Sequence, residues 1–213
     1  MQVFDLYAEK YDRWYNEPLG RSIFEAEVDC LKSLEPPSGR LLEVGVGSGR
    51  FAKALGISYG VDISRKLLRI AMGRGVKGVV AKAESLPFKD GVFDGVFMLA
   101  SLCFFQYPID ALLEARRVLK KDGYLVLGLL LKGSPWAEFY MQKAKEGHPI
   151  YRLASFYSFE ETKAMLELAG FEIGEVFTTL LEKPREKGPI ENKRTIKGFY
   201  KDGGFHCIKA KPL

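Results

Sequence analysis

Apolar residues fall along this chain in two alternating patterns. Short continuous runs, LLEV (41–44), ISYGVD (57–62), KGVVA (77–81), FDGVFML (93–99) and GYLVLGLLL (123–131), have the length of strands buried on both faces of a parallel sheet. Between them FAKAL, SRKLLRIAMGRG and PIDALLEARRVLKKDG gather apolar residues on one side of a 3.6-residue period, as helices do. Ser64 stands where it can cap the second of these helices. Pro108 suits the start of the third, whose Leu112, Leu113, Ala115, Val118 and Leu119 share a face, and Gly123 follows its last turn. Strands alternating with helices predict a doubly wound sheet with right-handed crossovers.

The two ends depart from this alternation. Near the C-terminus a helix, SFEETKAMLELAG, is opened by Ser158 with Glu161 three residues on, the spacing of a capping box. It leads into FEIGEVFTTLLE (171–182), and a polar stretch then separates that strand from FHCIKAK (205–211). With no helix between them these two strands should pair as an antiparallel hairpin at a sheet edge. At the N-terminus Ile23, Ala26, Cys30, Leu31 and Leu34 repeat at helical spacing. The expected fold class is therefore α/β: a doubly wound, seven-stranded, mostly parallel sheet with an antiparallel C-terminal hairpin and a helical N-terminal arm. One domain, 1–213, divides into the arm (1–35), a core (36–131), a lid segment (132–157) and the C-terminal helix and hairpin (158–213).

Composition narrows the function classes. No stretch approaches eighteen apolar residues and charges appear early, so neither a membrane span nor a signal peptide is expected, and the location expected is cytoplasmic. Three widely spaced cysteines, Cys30, Cys103 and Cys207, with only two histidines, read as reduced thiols and leave no metal site in prospect. The net charge of +5 is spread along the chain rather than clustered, which argues against a nucleic-acid partner. Two Asn and three Gln beside many Lys and Glu hint at a thermophilic source.

The candidate chemistry starts at LLEVGVGSGR (41–50). Glycine is a costly choice in regular structure, so three at alternate positions, Gly45, Gly47 and Gly49, ask for bare backbone against a ligand. In a parallel sheet that place, outside the carboxyl end of the first strand, is where ligands bind. The spacing is G-x-G-x-G, with Arg50 where a dinucleotide fingerprint needs glycine, and no Lys-Ser/Thr follows as in a triphosphate loop. Asp62, at the end of the second strand, can accept hydrogen bonds from both hydroxyls of a ribose. A nucleoside with a weakly anionic tail fits these residues.

Here the chain resembles the class I S-adenosylmethionine-dependent methyltransferases, especially those of ubiquinone and menaquinone biosynthesis. LLEVGVGSGR, GVDIS, AESLPF (83–88), FDGVFMLASLCFF, RRVLKKDGYLVLG and YSFEETKAMLELAGFE match in order. The resemblance implies S-adenosyl-L-methionine as cofactor. It places Glu43 and the backbone of Gly45, Gly47 and Gly49 near the methionine part, Asp62 on the ribose and Ile63 on a face of adenine. Ala83 and Glu84 fall at the adenine edge with Leu86 nearby, and Leu99, Ala100 and Ser101 line the methionine side. Lys82 stands where many relatives have Asp, which removes the usual carboxylate from the adenine amino group. Relatives fold the N-terminal arm over the cofactor, and an aromatic ring near a sulfonium gains cation–π attraction, which makes Tyr7 and Tyr11 candidates.

Methyl transfer from a sulfonium needs in-line approach and exclusion of water, and a general base only when the acceptor must lose a proton. His148 reads as a surface-loop residue and His206 as a strand residue, so no catalytic base is assigned. Aromatics in segment 132–157, with Trp136 and Tyr140 foremost, are expected to wall an acceptor pocket for a small, partly apolar molecule. Two alternatives stand beside this reading. One is a methyltransferase of protein or RNA, using the basic residues of 183–201; the other is a cofactor-binding protein without catalysis.

Overall fold

The computed structural model describes residues 2–35 and 38–213. In chain order the elements are α1 (Gln2–Trp14), α2 (Pro18–Lys32), β1 (Leu41–Val44), α3 (Arg50–Leu55), β2 (Tyr59–Asp62), α4 (Arg65–Gly73), β3 (Lys77–Val80) and β4 (Phe93–Leu99). Then follow α5 (Pro108–Val118), β5 (Leu119–Leu129), α6 (Pro135–Lys145), α7 (Phe159–Leu168), β6 (Phe171–Thr179), β7 (Ile196–Lys197) and β8 (Phe205–Pro212). One sheet runs β3-β2-β1-β4-β5-β8-β6-β7. Strands β1 to β5 are parallel, and β8 is antiparallel to both β5 and β6. The order reverses between β1 and β4, which opens the crevice there.

Alternate residues of each central strand go to opposite layers. Leu41, Phe97, Leu99, Tyr124, Val126 and Cys207 pack with Ile23, Ala26, Cys30 and Leu31 of α2. Leu42, Val44, Val96, Met98, Leu125 and Leu127 face Leu112 and Ala115 of α5 and Leu166 of α7. Both faces are thus covered, as a parallel sheet requires. Ser64 caps α4 by accepting from the Leu67 amide at 3.1 Å, and the Ser158–Glu161 capping box is formed in full.

Three sequence expectations need correction. Among the described residues the sheet has eight strands, because the polar stretch before β8 lays β7 on the free edge of β6, where Gly198 N–H donates to the Val176 carbonyl at 2.7 Å and Thr178 Oγ1 to the Gly198 carbonyl at 2.7 Å. An unpaired strand edge is satisfied in this way. The helix expected to run to Gly123 stops at Val118. Its last carbonyls, of Arg117 and Val118, accept the Gly91 and Val92 amides, and Leu119 pairs with Phe93, so the polar residues Lys120 to Asp122 begin a strand. Leu113 lies outside the buried stripe, which Ala111 completes with Leu112, Ala115 and Val118.

Candidate active site

Each of the three glycines has positive φ, at +76° for Gly45, +52° for Gly47 and +77° for Gly49. That backbone region is costly for any residue with a Cβ. Their surroundings differ. A Cβ on Gly45 would stand 2.5 Å from Cβ of Ser101, and one on Gly49 would stand 2.9 Å from the Ala71 backbone, so these two let the loop close on β4's end and on α4. A Cβ on Gly47 would meet only a ring carbon of Tyr11, at 3.9 Å. Gly47 is the glycine that offers bare backbone to a cleft.

Asp62 binds the loop from below. Its Oδ2 accepts the Gly47 amide and its Oδ1 the Ser64 amide, both at 2.8 Å. Burial raises its pKa while the Ser64, Gly47 and Ile63 amides work the other way. Glu43 is 1 % exposed, and its Oε2 is buried with no hydrogen-bond partner. Burial, with the nearby Asp62 charge, pushes the Glu43 carboxyl well above the usual range. After β4, Ala100 holds φ +49° and Ser101 donates to the Val44 carbonyl at 2.9 Å. A non-glycine residue in that region stores strain at the cleft wall beside buried Leu99. Ala83 and Leu86 are buried, and Ile63 is half-buried. Glu84 accepts the Tyr107 amide at 3.2 Å, while the Leu86 amide is held by Glu114 at 2.7 Å.

The arm crosses over this floor and is tied to it by two carboxylates. Asp5 accepts Ser64 Oγ at 2.7 Å and the Lys66 amide at 3.1 Å, at the start of α4. Asp12 pairs with Arg50 and Arg74, each at 2.8 Å, and Arg74 also donates to the Ser48 carbonyl of the glycine loop at 2.6 Å. Burial works against the Asp12 charge, but hydrogen bonds from Arg74 and Arg50 prevail and hold its pKa down to about 2. The strap was missed at the sequence level, because its partners lie 38 and 62 residues away. Tyr7 and Tyr11 are both half-buried on α1, and Tyr11 is the one beside Gly47.

An open backbone at Gly47, a carboxylate at the end of β2 and an orphaned carboxyl oxygen on Glu43 fit a nucleoside that carries an amino-acid tail. A family model described as a methyltransferase domain matches residues 42–127. An S-adenosylmethionine-dependent methyltransferase of Thermotoga maritima, described as a possible histamine N-methyltransferase, superposes with TM-score 0.90 at 36% identity, over 99% of this chain and 98% of that one. An uncharacterised protein of Methanocaldococcus jannaschii is 38% identical over the full length of both chains. A demethylmenaquinone methyltransferase of Thermotoga maritima is 32% identical over 142 residues, 62% of this chain and 61% of that protein. The chain belongs to the class I S-adenosylmethionine-dependent methyltransferases. Its cofactor is S-adenosylmethionine.

Beyond the cofactor floor the methyltransferase carries an aromatic cluster. Tyr11 and Tyr15 share a hydrogen bond of 2.9 Å between their hydroxyls, and the Arg50 guanidinium lies over the Tyr15 ring, 5.2 Å from its centroid. The Tyr140 and Tyr151 rings pack with centroids 4.5 Å apart. Trp136 is 1 % exposed and donates its indole N–H to the Glu182 carbonyl at 2.8 Å, so it joins the core, and Tyr140 is the member of that pair in the cluster. His148 Nδ1 lies 3.4 Å from the Ile150 and Tyr151 amides, a turn-closing contact. His206 is fully buried against the Tyr200 carbonyl. Among the described residues, no group of His, Cys, Asp or Glu could hold a metal ion, and no helix of the methyltransferase is long and apolar enough to cross a membrane. A recess of about 540 Å³ lined by Asp90, Arg116, Arg117 and Lys120 lies at the amino ends of β4 and β5, the opposite end from the glycine loop.

Proposed function

We propose that this enzyme methylates a small, partly apolar molecule held between the glycine loop and the aromatic cluster. The observation that carries the reading is Tyr11, which touches the space over Gly47 on one side and joins Tyr15 on the other. It belongs to both halves of one cleft. On this reading Asp62 holds the ribose hydroxyls, and Glu43 with the Gly45, Gly47 and Gly49 backbone holds the methionine part. Ile63, Ala83, Glu84 and Leu86 take adenine, and Leu99, Ala100 and Ser101 form the wall beside the transferring group. Tyr11 and Tyr7 cover the sulfonium. The bound cofactor supplies a methyl group on a positively charged sulfur. The chain supplies position and dryness, which suffice for a displacement whose leaving sulfur departs neutral.

Two of the relatives, described as a possible histamine N-methyltransferase and a demethylmenaquinone methyltransferase, are named for small acceptors. Tyr140 and Tyr151 supply the apolar wall that such a molecule needs. Trp136 we set aside as packing. Three free thiols agree with the cytoplasmic location that belongs to this proposal. The test is methyl transfer from labelled cofactor into fractionated cell extract. Label should enter the small-molecule fraction and fall at least about fivefold with Tyr140→Ala, since truncating a central aromatic contact costs more than about 1 kcal/mol. Label in protein or RNA would overturn the proposal.

A further inference from the structure

Glu27 sits on the buried face of α2 between Ile23 and Ala26 on one side and Cys30 and Leu31 on the other, and it is 6 % exposed. Among the described residues, none gives its carboxyl a hydrogen bond or an ion pair. An acid in such a place is costly unless something pairs with it. Near it stand Tyr11 of α1, Tyr15 in the turn after α1 and Tyr140 of α6, close enough that a charge on Glu27 raises each phenol, and the Tyr151 ring packs on that of Tyr140. An unpaired acid beside tyrosine side chains is suited to an organic cation, through cation–π attraction and a charge-assisted hydrogen bond.

We propose that Glu27, with Tyr11, Tyr15, Tyr140 and Tyr151, binds the protonated amine of the acceptor, so that the reaction is N-methylation of a small amine. This rests on the small-molecule reading above and assigns its acceptor atom. The aminium N–H proton passes to a Glu27 carboxylate oxygen. The freed nitrogen lone pair forms the N–C bond, and the electrons of the C–S bond leave with the sulfur. The product is the methylated aminium, and the proton on Glu27 is released to water when the product departs. Burial pushes the Glu27 carboxyl up to about 8, so the empty site carries a proton near neutral pH, and that proton leaves to solvent as the aminium binds.

Other titratable groups facing Glu27 are held neutral. Burial raises the Tyr11, Tyr15, Tyr140 and Tyr151 phenols, and it raises the thiol of Cys207, which lies on β8 against Cys30. Burial likewise raises Glu43, the other buried acid of this layer.

Two measurements test the assignment. In the first, labelled product from the small-molecule fraction of an extract is passed over a cation exchanger at mildly acidic pH. Retention is expected; label in the neutral or acidic flow-through overturns the amine assignment and leaves the small-molecule reading standing. Label confined to macromolecules overturns both. In the second, tyramine and tryptamine, and the alcohols tyrosol and tryptophol, are titrated by calorimetry into protein saturated with S-adenosylhomocysteine. Amines should bind more tightly than alcohols of the same skeleton, and Glu27→Gln should weaken only the amines, by about thirtyfold, as losing a hydrogen bond to a charged group does. Cofactor affinity should be unchanged and the melting temperature equal or higher. Equal binding of amines and alcohols by the wild-type protein, or of amines by wild type and variant, overturns the proposal, as does failure of any of the four to bind. Should Glu27→Gln not fold, Tyr140→Leu serves, with the same selective loss of amine binding expected and an unselective loss counting against it.

Discussion

The floor of the cleft and its roof are built from different materials. The floor is backbone: glycines at positive φ, amides turned onto Asp62, and strand ends buried in apolar layers. The roof is side chain: α1 reaches the floor through Asp5 and Asp12, and it is joined to α2 by aromatic rings stacked edge to face, Tyr11 on Tyr15 and Tyr15 on Phe24. A backbone site keeps its shape because the fold itself holds it. A roof tied by a few polar contacts can open by breaking them, which suits the exchange of cofactor and product. A rigid floor should therefore dominate cofactor affinity, and the roof should govern coverage and acceptor choice.

The largest effect is expected from damage to the floor. Asp62→Ala removes the acceptor of the Gly47 and Ser64 amides together with the proposed ribose partner. It should weaken S-adenosylhomocysteine binding by about 1.5–3 kcal/mol in calorimetry, the range for hydrogen bonds to a charged group. Gly47→Val should do at least as much, because it adds both a backbone penalty at φ +52° and bulk beneath Tyr11. Wild-type affinity in either variant would mean that the cofactor lies elsewhere.

A smaller effect should follow from cutting the strap. Asp12 and its two arginines keep only 15–21% of their side-chain surface exposed, so the pair is more than a surface ion pair. Lowering a carboxyl from 3.8 to about 2 corresponds to about 2 kcal/mol of folded-state stability. The sign follows from the depressed folded value. The contribution is complete above the unfolded pKa and is lost as pH falls through about 2. Asp12→Ala should thus lower the melting temperature at neutral pH, and that difference should shrink steadily toward pH 2. Cofactor affinity should fall less than with Asp62→Ala. An equal or larger loss would erase the distinction between floor and roof.

The same division decides what was legible in the sequence. The floor was, because strands, caps and the glycine loop are written in neighbouring residues: LLEV before Gly45, Ser64 ahead of α4, Ser158 with Glu161. The roof was legible only in part. Tyr11 stood out as an aromatic at helical spacing, but nothing near Asp12 points to Arg74, 62 residues on, and nothing near Glu27 points to Tyr140. Glu27 looks like any polar residue of an amphipathic helix until the fold turns it inward. Trp136 shows the converse, an aromatic whose ring and N–H are both committed, to Gly204 and to the Glu182 carbonyl. The early stop of α5 belongs here too, since LKKD has no local strand pattern and becomes one only opposite Phe93.

The smallest effect is expected from the basic segment 183–201, the feature that a nucleic-acid or protein acceptor would need. Three of its seven basic residues are paired within the molecule. Lys193 pairs with Glu25 of α2, Lys197 with Glu175 of β6 at 3.1 Å, and Arg185 with Glu182 at 3.3 Å. These pairs are half-exposed, and such pairs contribute about 0–1 kcal/mol each. Replacing Lys193, Arg194 and Lys197 together by Ser should then change the melting temperature by a few degrees at most on that scale, and leave transfer into the small-molecule fraction unaltered. A surface that tracked phosphates would behave otherwise. Each phosphate contact would add about one unit to the slope of log affinity against log salt, so transfer should fall steeply with salt, and the triple variant should flatten that slope. A flat salt response in wild type and variant alike leaves the acceptor under the aromatic roof. A steep one that the variant abolishes would move it to the outside of the sheet edge, beside β7.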